Sequence, residues 1–174
     1  MPVVLQSFTT PANTVRIADS ATAPGAVTPV GPTIPLIDGN GSYIWSPVNV
    51  SGQSVTFRSV FSFGAPLLSV ALPLTVYYAY AGNETATVTA TLEVLNVLGV
   101  IVLTIPLFSG DTNLGNPLNV STVAADTLLA ASVLGGTVNI TVDATVNAPI
   151  TTPYDPVNTG RYLGQITVQQ IVAI

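Results

Sequence analysis

Residues 85–95 read T-A-T-V-T-A-T-L-E-V-L, with Ala86, Val88, Ala90, Leu92 and Val94 on one parity and Thr85, Thr87, Thr89, Thr91 and Glu93 on the other. A two-residue period without a fault gives one apolar and one polar face, the pattern of a strand buried on a single side. Residues 137–146 repeat it, with Val138, Ile140, Val142, Ala144 and Val146 inward and Thr137, Asn139, Thr141, Asp143 and Thr145 outward. Residues 54–63 place Val55, Phe57, Phe61 and Phe63 on one side, and residues 74–81 place Leu74, Val76, Tyr78 and Tyr80 together with Tyr77 opposite. Turn formers stand between these runs: Asp38-Gly39-Asn40-Gly41, Ser51-Gly52, Ala81-Gly82-Asn83, Ser109-Gly110-Asp111, Gly115-Asn116-Pro117 and Gly135-Gly136. Strands punctuated in this way predict an all-β fold, an antiparallel jelly-roll β-sandwich. One short helix or turn is expected at 124–133, with Asp126 in its first turn and Gly135-Gly136 as its stop.

Two stretches depart from half-burial. Residues 98–107, L-G-V-I-V-L-T-I-P-L, are apolar on both parities, so a strand there is expected to be covered on both faces, with Pro106 marking an edge or an end. In residues 164–174, Ile166 and Val168 keep phase and the pattern then slips at Gln169-Gln170, which predicts a bulge. The start of the chain has a different texture. Residues 1–20 read as an N-terminal arm holding two short strands, residues 21–35 as a Pro/Gly-rich spacer poor at making sheet, and residues 36–174 as the sandwich.

Charge is scarce: eight acids, three arginines and no lysine make 6 % of 174 residues, against about 25 % in an ordinary soluble domain. With 48 % apolar residues and a mean hydropathy of +0.62, too little charge remains to cover a monomer's surface. A membrane, a large protein interface or attached sugar are the usual resolutions. No stretch approaches the roughly 20 apolar residues of a spanning helix, and a membrane barrel is disfavoured by uneven strand spacing and few aromatic girdle residues. Net charge −5 argues against nucleic acid and anionic lipid as partners. The first residues lack the basic and apolar regions of a secretory signal. Five N-x-S/T sequons, at Asn40, Asn49, Asn83, Asn119 and Asn139, leave glycosylation open.

Ile44-Trp45, Phe57 to Phe61, Tyr78-Ala79-Tyr80-Ala81-Gly82-Asn83 running to Val88, Gly136 to Val142 and Gly160 to Val168 follow one another in an order that resembles galactose-binding-like jelly-roll domains, over residues 41–168. Gly82 stands where that pattern carries Asp, and the sugar-facing loops find no counterpart, so the resemblance implies the fold and no binding residues. In composition, rich in Thr, Val, Ala, Asn, Gly and Pro, the chain is also similar to spore-surface proteins and to extracellular filament subunits with donor strands.

Absent residue types bound the chemistry. Without His or Cys there is no Ser-His-Asp triad, no Cys-His dyad and no ordinary zinc site; without Lys there is no Schiff base and no P-loop lysine. Two carboxylates suffice for a glycosidase, but no close pair stands out. The chain is therefore expected not to be an enzyme, with no catalytic residues, cofactor or metal. Asp38-Gly39-Asn40 and Asp111-Thr112-Asn113 have the D-x-N spacing of a calcium loop and read better as Asx turns. Arg58 is expected to pair with a carboxylate such as Glu93, and Arg16 and Arg161 to serve subunit pairing or solubility.

The leading expectation is a structural subunit of a self-assembling filament on a cell or spore surface or outside the cell. Val3, Val4, Leu5 and Phe8 of the arm would add as a strand to a neighbouring copy, and Val100, Val102 and Ile105 would lie in the subunit interface. The alternative is a carbohydrate-binding module or adhesin, with Tyr154 and Tyr162, or Trp45, stacking on glycans. A viral or sheath shell protein is the third reading.

Overall fold

The computed structural model describes residues 2–31, 43–64, 71–113, 119–129, 136–153 and 160–171. They form twelve strands: β1 (Val3–Phe8), β2 (Thr14–Asp19), β3 (Gly25–Ala26), β4 (Thr28–Val30), β5 (Tyr43–Trp45), β6 (Ser54–Gly64), β7 (Leu72–Gly82), β8 (Ala86–Leu95), β9 (Ile101–Thr112), β10 (Ser121–Leu129), β11 (Thr137–Asn147) and β12 (Tyr162–Gln170). All pairings are antiparallel. One sheet runs β10-β7-β12-β5-β4 with β1 also on β12; the other runs β3-β2-β6-β11-β8-β9. This is the expected all-β jelly-roll sandwich.

The alternating runs form the centre. In β8, β11 and β6 the predicted inward residues Val88, Leu92, Val94, Ile140, Val142, Val55 and Phe57 are buried. Facing them from the other sheet are Leu74, Val76, Tyr78 and Tyr80 of β7 and Ile166 and Val168 of β12. Trp45 sits at one end of this core, 5.7 Å centroid to centroid from Phe57, which stacks on Tyr162 at 5.3 Å. Gly160 lies so close to Trp45 that a Cβ there would fall 2.1 Å from the indole, so no other residue fits.

Residues 1–20 and 21–35, read as an arm and a spacer, contribute strands to both sheets, and three expectations need correction. β1 lies along β12, β2 along β6, and β4 pairs with β5. Pro29 is tolerated because β4 is an edge strand, where a missing N–H breaks no ladder. The helix expected over 124–133 is instead strand β10 as far as Leu129, paired with β7 from Ser121↔Tyr80 to Leu129↔Leu72; residues 130–133 lie outside the described residues. Pairing with Leu72 to Tyr80 of β7 overrides the local helix signal. The slip expected at Gln169-Gln170 falls on the facing strand: the register passes from Val3↔Gln169 to Leu5↔Val168, leaving Val4 as the extra residue. The apolar stretch 98–107 is not a doubly covered strand. Residues 97–100 form the turn between β8 and β9, and β9 lies at the sheet edge with only its inner parity packed.

Candidate functional site

The β8–β9 turn is built around Asn96. Its backbone N–H donates to Val100 O at 2.9 Å, and its carbonyl accepts from Gly99 N at 2.9 Å. Its side-chain Oδ1 accepts from Leu98 N at 2.9 Å and Val100 N at 3.0 Å. Gly99 has φ 76°, in the left-handed region that favours glycine. The turn is thus closed on itself, and it presents Val97 and Leu98 at 83 % exposure each. Exposure continues through Val100, Ile101 and Val102 into β9. Leu103, Ile105, Leu107 and Phe108 lean back onto the core. No charged residue occurs between Glu93 and Asp111. Contiguous apolar surface on a long edge strand is unusual for a lone domain.

Of the expected interface residues, Val100 and Val102 are on this surface, and Ile105 is partly buried against the core. Val3 and Val4 are exposed on β1, at the other sheet. Leu5 packs on the main core and Phe8 on a small cluster with Tyr43 and Leu163, so neither is free. The turn that follows β1 is pinned as well: Asn13 Nδ2 donates to Phe8 O and Asn13 Oδ1 accepts from Thr10 N, both at 2.8 Å.

Tyr162 is not a surface ligand. It is wholly buried, and its hydroxyl lies 2.5 Å from that of Tyr78; burial, first of all, pushes both phenols above their ordinary range. Tyr154 lies outside the described residues. Trp45 is likewise enclosed and offers no stacking platform. Asp111 accepts from Tyr80 Oη at 2.6 Å. Asn113 is buried, accepting from Ala86 N at 2.6 Å and donating to Glu84 O at 3.0 Å. Both are structural bonds, but they reach from the end of β9 to β7 and to the β7–β8 connection and are not Asx turns, which close on their own backbone. Asp38-Gly39-Asn40 lies outside the described residues.

The arginines are placed differently from expectation. Arg58 forks onto Asp143 of the neighbouring β11 at 2.8 and 2.7 Å, not onto Glu93, and these bonds raise the arginine's affinity for its proton. The pair sits on the polar outer face of its sheet beside Thr89, Thr91, Glu93 and Thr141, around a depression of about 290 Å³. Arg16 is buried. It donates from Nε to Ala26 O at 2.9 Å and from the guanidinium to Asp19 and, at 3.3 Å, to Ser46. Gln53 Nε2 donates to Asp19 at 2.7 Å. Enclosure alone would raise the Asp19 carboxyl. The bonds it accepts from Ser46, Ala21 N–H, Gln53 and Arg16 outweigh that and hold it below its ordinary value.

A second depression, about 480 Å³, lies at the end of the sandwich remote from the turn, lined by Gly52, Glu84, Thr85, Asn147, Ala148 and Ile150. Neither it, nor the Arg16 knot, nor the Val97-Leu98 tip was singled out from the sequence. The tip had a signal, Asn and Gly three apart, hidden inside an apolar run. Among the described residues no helix is long and apolar enough to cross a membrane, and no three metal-binding side chains cluster.

No family model and no curated protein matches the chain. Among solved structures it is similar to the infectious bursal disease virus Gt strain, at TM-score 0.42 and 11 % identity over 83 % of this chain and 39 % of that one. It is similar to the CBM22-1 xylan-binding domain of Paenibacillus barcinonensis Xyn10C, at TM-score 0.46 and 10 % identity over 99 % and 97 %. A carbohydrate-binding module of Cellvibrio mixtus lichenase 5A, solved with cellotriose, gives TM-score 0.39 and 12 % identity over 98 % and 100 %. The chain spans well under half the length of the viral protein, and at these scores the likenesses carry no argument about ligand or assembly.

Proposed function

We propose that the chain is a non-catalytic structural subunit that assembles with copies of itself into a filament or shell outside the cell or on its surface. The observation that carries this reading is the charge-free apolar surface of Val97, Leu98, Val100, Ile101 and Val102, at the start of an edge strand with no partner on its outer side among the described residues. Burying one such side chain contributes about 1.5–3 kcal/mol, so five exposed together favour association strongly. Strand addition through residues 1–20 would need β1 to leave β12 and the Asn13 turn to open, so the reading puts the contact at β9 and its turn. Negative-stain electron microscopy of the purified chain tests it: uniform fibres or particles are expected, and their loss in Ile101→Lys. Monodisperse single domains at all concentrations would sink it.

A second reading, a glycan-binding module, is favoured by the depression beside Arg58, Asp143 and Glu93, where charged and hydroxyl groups converge. It predicts retention on a glycan array that Glu93→Gln reduces. Unchanged retention would remove this face from consideration.

A further inference from the structure

We propose that the Val97-Leu98 tip of one copy seats in the depression at the opposite end of the next, lined by Gly52, Glu84, Thr85, Asn147, Ala148 and Ile150. This rests on the self-assembly reading and names its contact. The tip gives up water at little cost in backbone hydrogen bonds. The N–H groups of Asn96, Leu98, Gly99 and Val100 are all bonded within the turn, so desolvating it strands none of those four donors. It carries no charge, which matters because every copy has net charge −5 and repels the next wherever acidic surfaces meet.

The receiver is an open depression with a mixed wall, Glu84, Thr85 and Asn147 on its polar side and Ile150 as its apolar anchor. Its volume of about 480 Å³ falls in the range of pockets that take small apolar groups. Ile150 stands in its wall at 85 % exposure, an apolar side chain without cover. The polar side of the wall is already organised, with Asn147 Nδ2 donating to Thr85 Oγ1 at 2.7 Å. Gly52, at φ 67°, leaves room for Ile150, whose Cγ1 would lie 3.2 Å from a Cβ there.

Placement decides the symmetry. The pairing Thr137↔Leu95 lies at the tip end of β8 and Val146↔Ala86 at the receiver end. The ten residues of β8 therefore hold the two apart by roughly 30 Å. A surface at one end that fits a different surface at the other makes a heterologous contact, which repeats along the strand direction rather than closing as a two-fold dimer.

The test uses two variants at exposed positions, Leu98→Glu in the tip and Ile150→Glu in the receiver, with circular dichroism to verify folding. Each alone is expected to stay monomeric under conditions where the wild type polymerises. Mixed in equal amounts, they should give a one-to-one dimer and nothing longer, since each retains the half the other lacks. A mixture that stays monomeric while the wild type assembles would overturn this contact and leave self-assembly standing. A wild type that never assembles would overturn both. Flotation of the wild type with phosphatidylcholine vesicles, abolished by Leu98→Glu, would assign the tip to lipid instead and overturn the contact.

Discussion

The two margins of the six-stranded sheet that runs from β3 to β9 are closed in opposite ways. At one, the edge strand β3 has two residues, and β2 behind it turns a charged side chain inward: Arg16 is buried among Ala26 O, Asp19 and Ser46. A short edge and an inward charge are devices that keep a sheet from recruiting another strand. At the other margin β9 is twelve residues long and its first half is apolar and uncharged. One sheet therefore has a margin protected against pairing and a margin that invites it. A chain with only three arginines has placed one of them where it guards an edge and none near the edge left bare.

Four measurements break or sharpen that contrast. Arg16→Ala leaves Asp19 enclosed without its counter-charge and is expected to lower unfolding stability by about 3–5 kcal/mol in urea titrations. A loss under ~1 kcal/mol would mean the protected margin does not depend on the pair. Asp19→Asn should lose roughly 1.5–3 kcal/mol at neutral pH, the scale of hydrogen bonds to a charged group. Because the folded carboxyl lies below its ordinary value of 3.8, its contribution is full above that pH and is lost as pH falls through the folded value. The stability gap between wild type and Asp19→Asn should accordingly close on the acid side; a gap independent of pH would mean the carboxylate's charge plays no part.

Arg58→Ala, in the middle of the sheet, removes a pair whose side chains are 47 % and 29 % exposed. No more than ~1 kcal/mol is expected, shrinking further in salt. A loss as large as that of Arg16→Ala would erase the distinction between a margin pair and a face pair. Val102→Lys on the open margin should change the stability of the dilute monomer by under ~0.5 kcal/mol while suppressing association. A melting temperature that drops sharply in the dilute chain would show that Val102 is needed for folding and not for contact.

The centre of this fold was legible because period two has one physical cause, burial on one face, and β8 and β11 obey it residue by residue. The margins were not. Residues 98–107 announced that something must cover both sides, but an apolar run does not say which part turns, and Leu98 and Gly99 of the corner were read as strand. The helix expected at 124–133 rested on an acid and a glycine pair; nine residues of pairing with β7 outweighed them. Tyr162 looked like a ligand because Pro153, Asp155 and Pro156 precede it in the sequence, although its neighbours Leu163, Ile166 and Val168 mark a core strand. Arg16, Asp19, Ser46 and Gln53 carry no shared motif: the pairing of β2 with β6 brings Gln53 to Asp19, and Ser46 comes from the end of β5 in the other sheet. The receiver depression is likewise joined from three separate loops.

The chain's single tryptophan, Trp45, is wholly enclosed, with Gly160 flush against its ring. Its fluorescence therefore watches the interior alone. A red shift of its emission reports that the two sheets have parted, and polymer growth through the outer margin leaves the colour unchanged. Light scattering and emission wavelength, recorded on one sample, separate joining from unravelling without any label being attached.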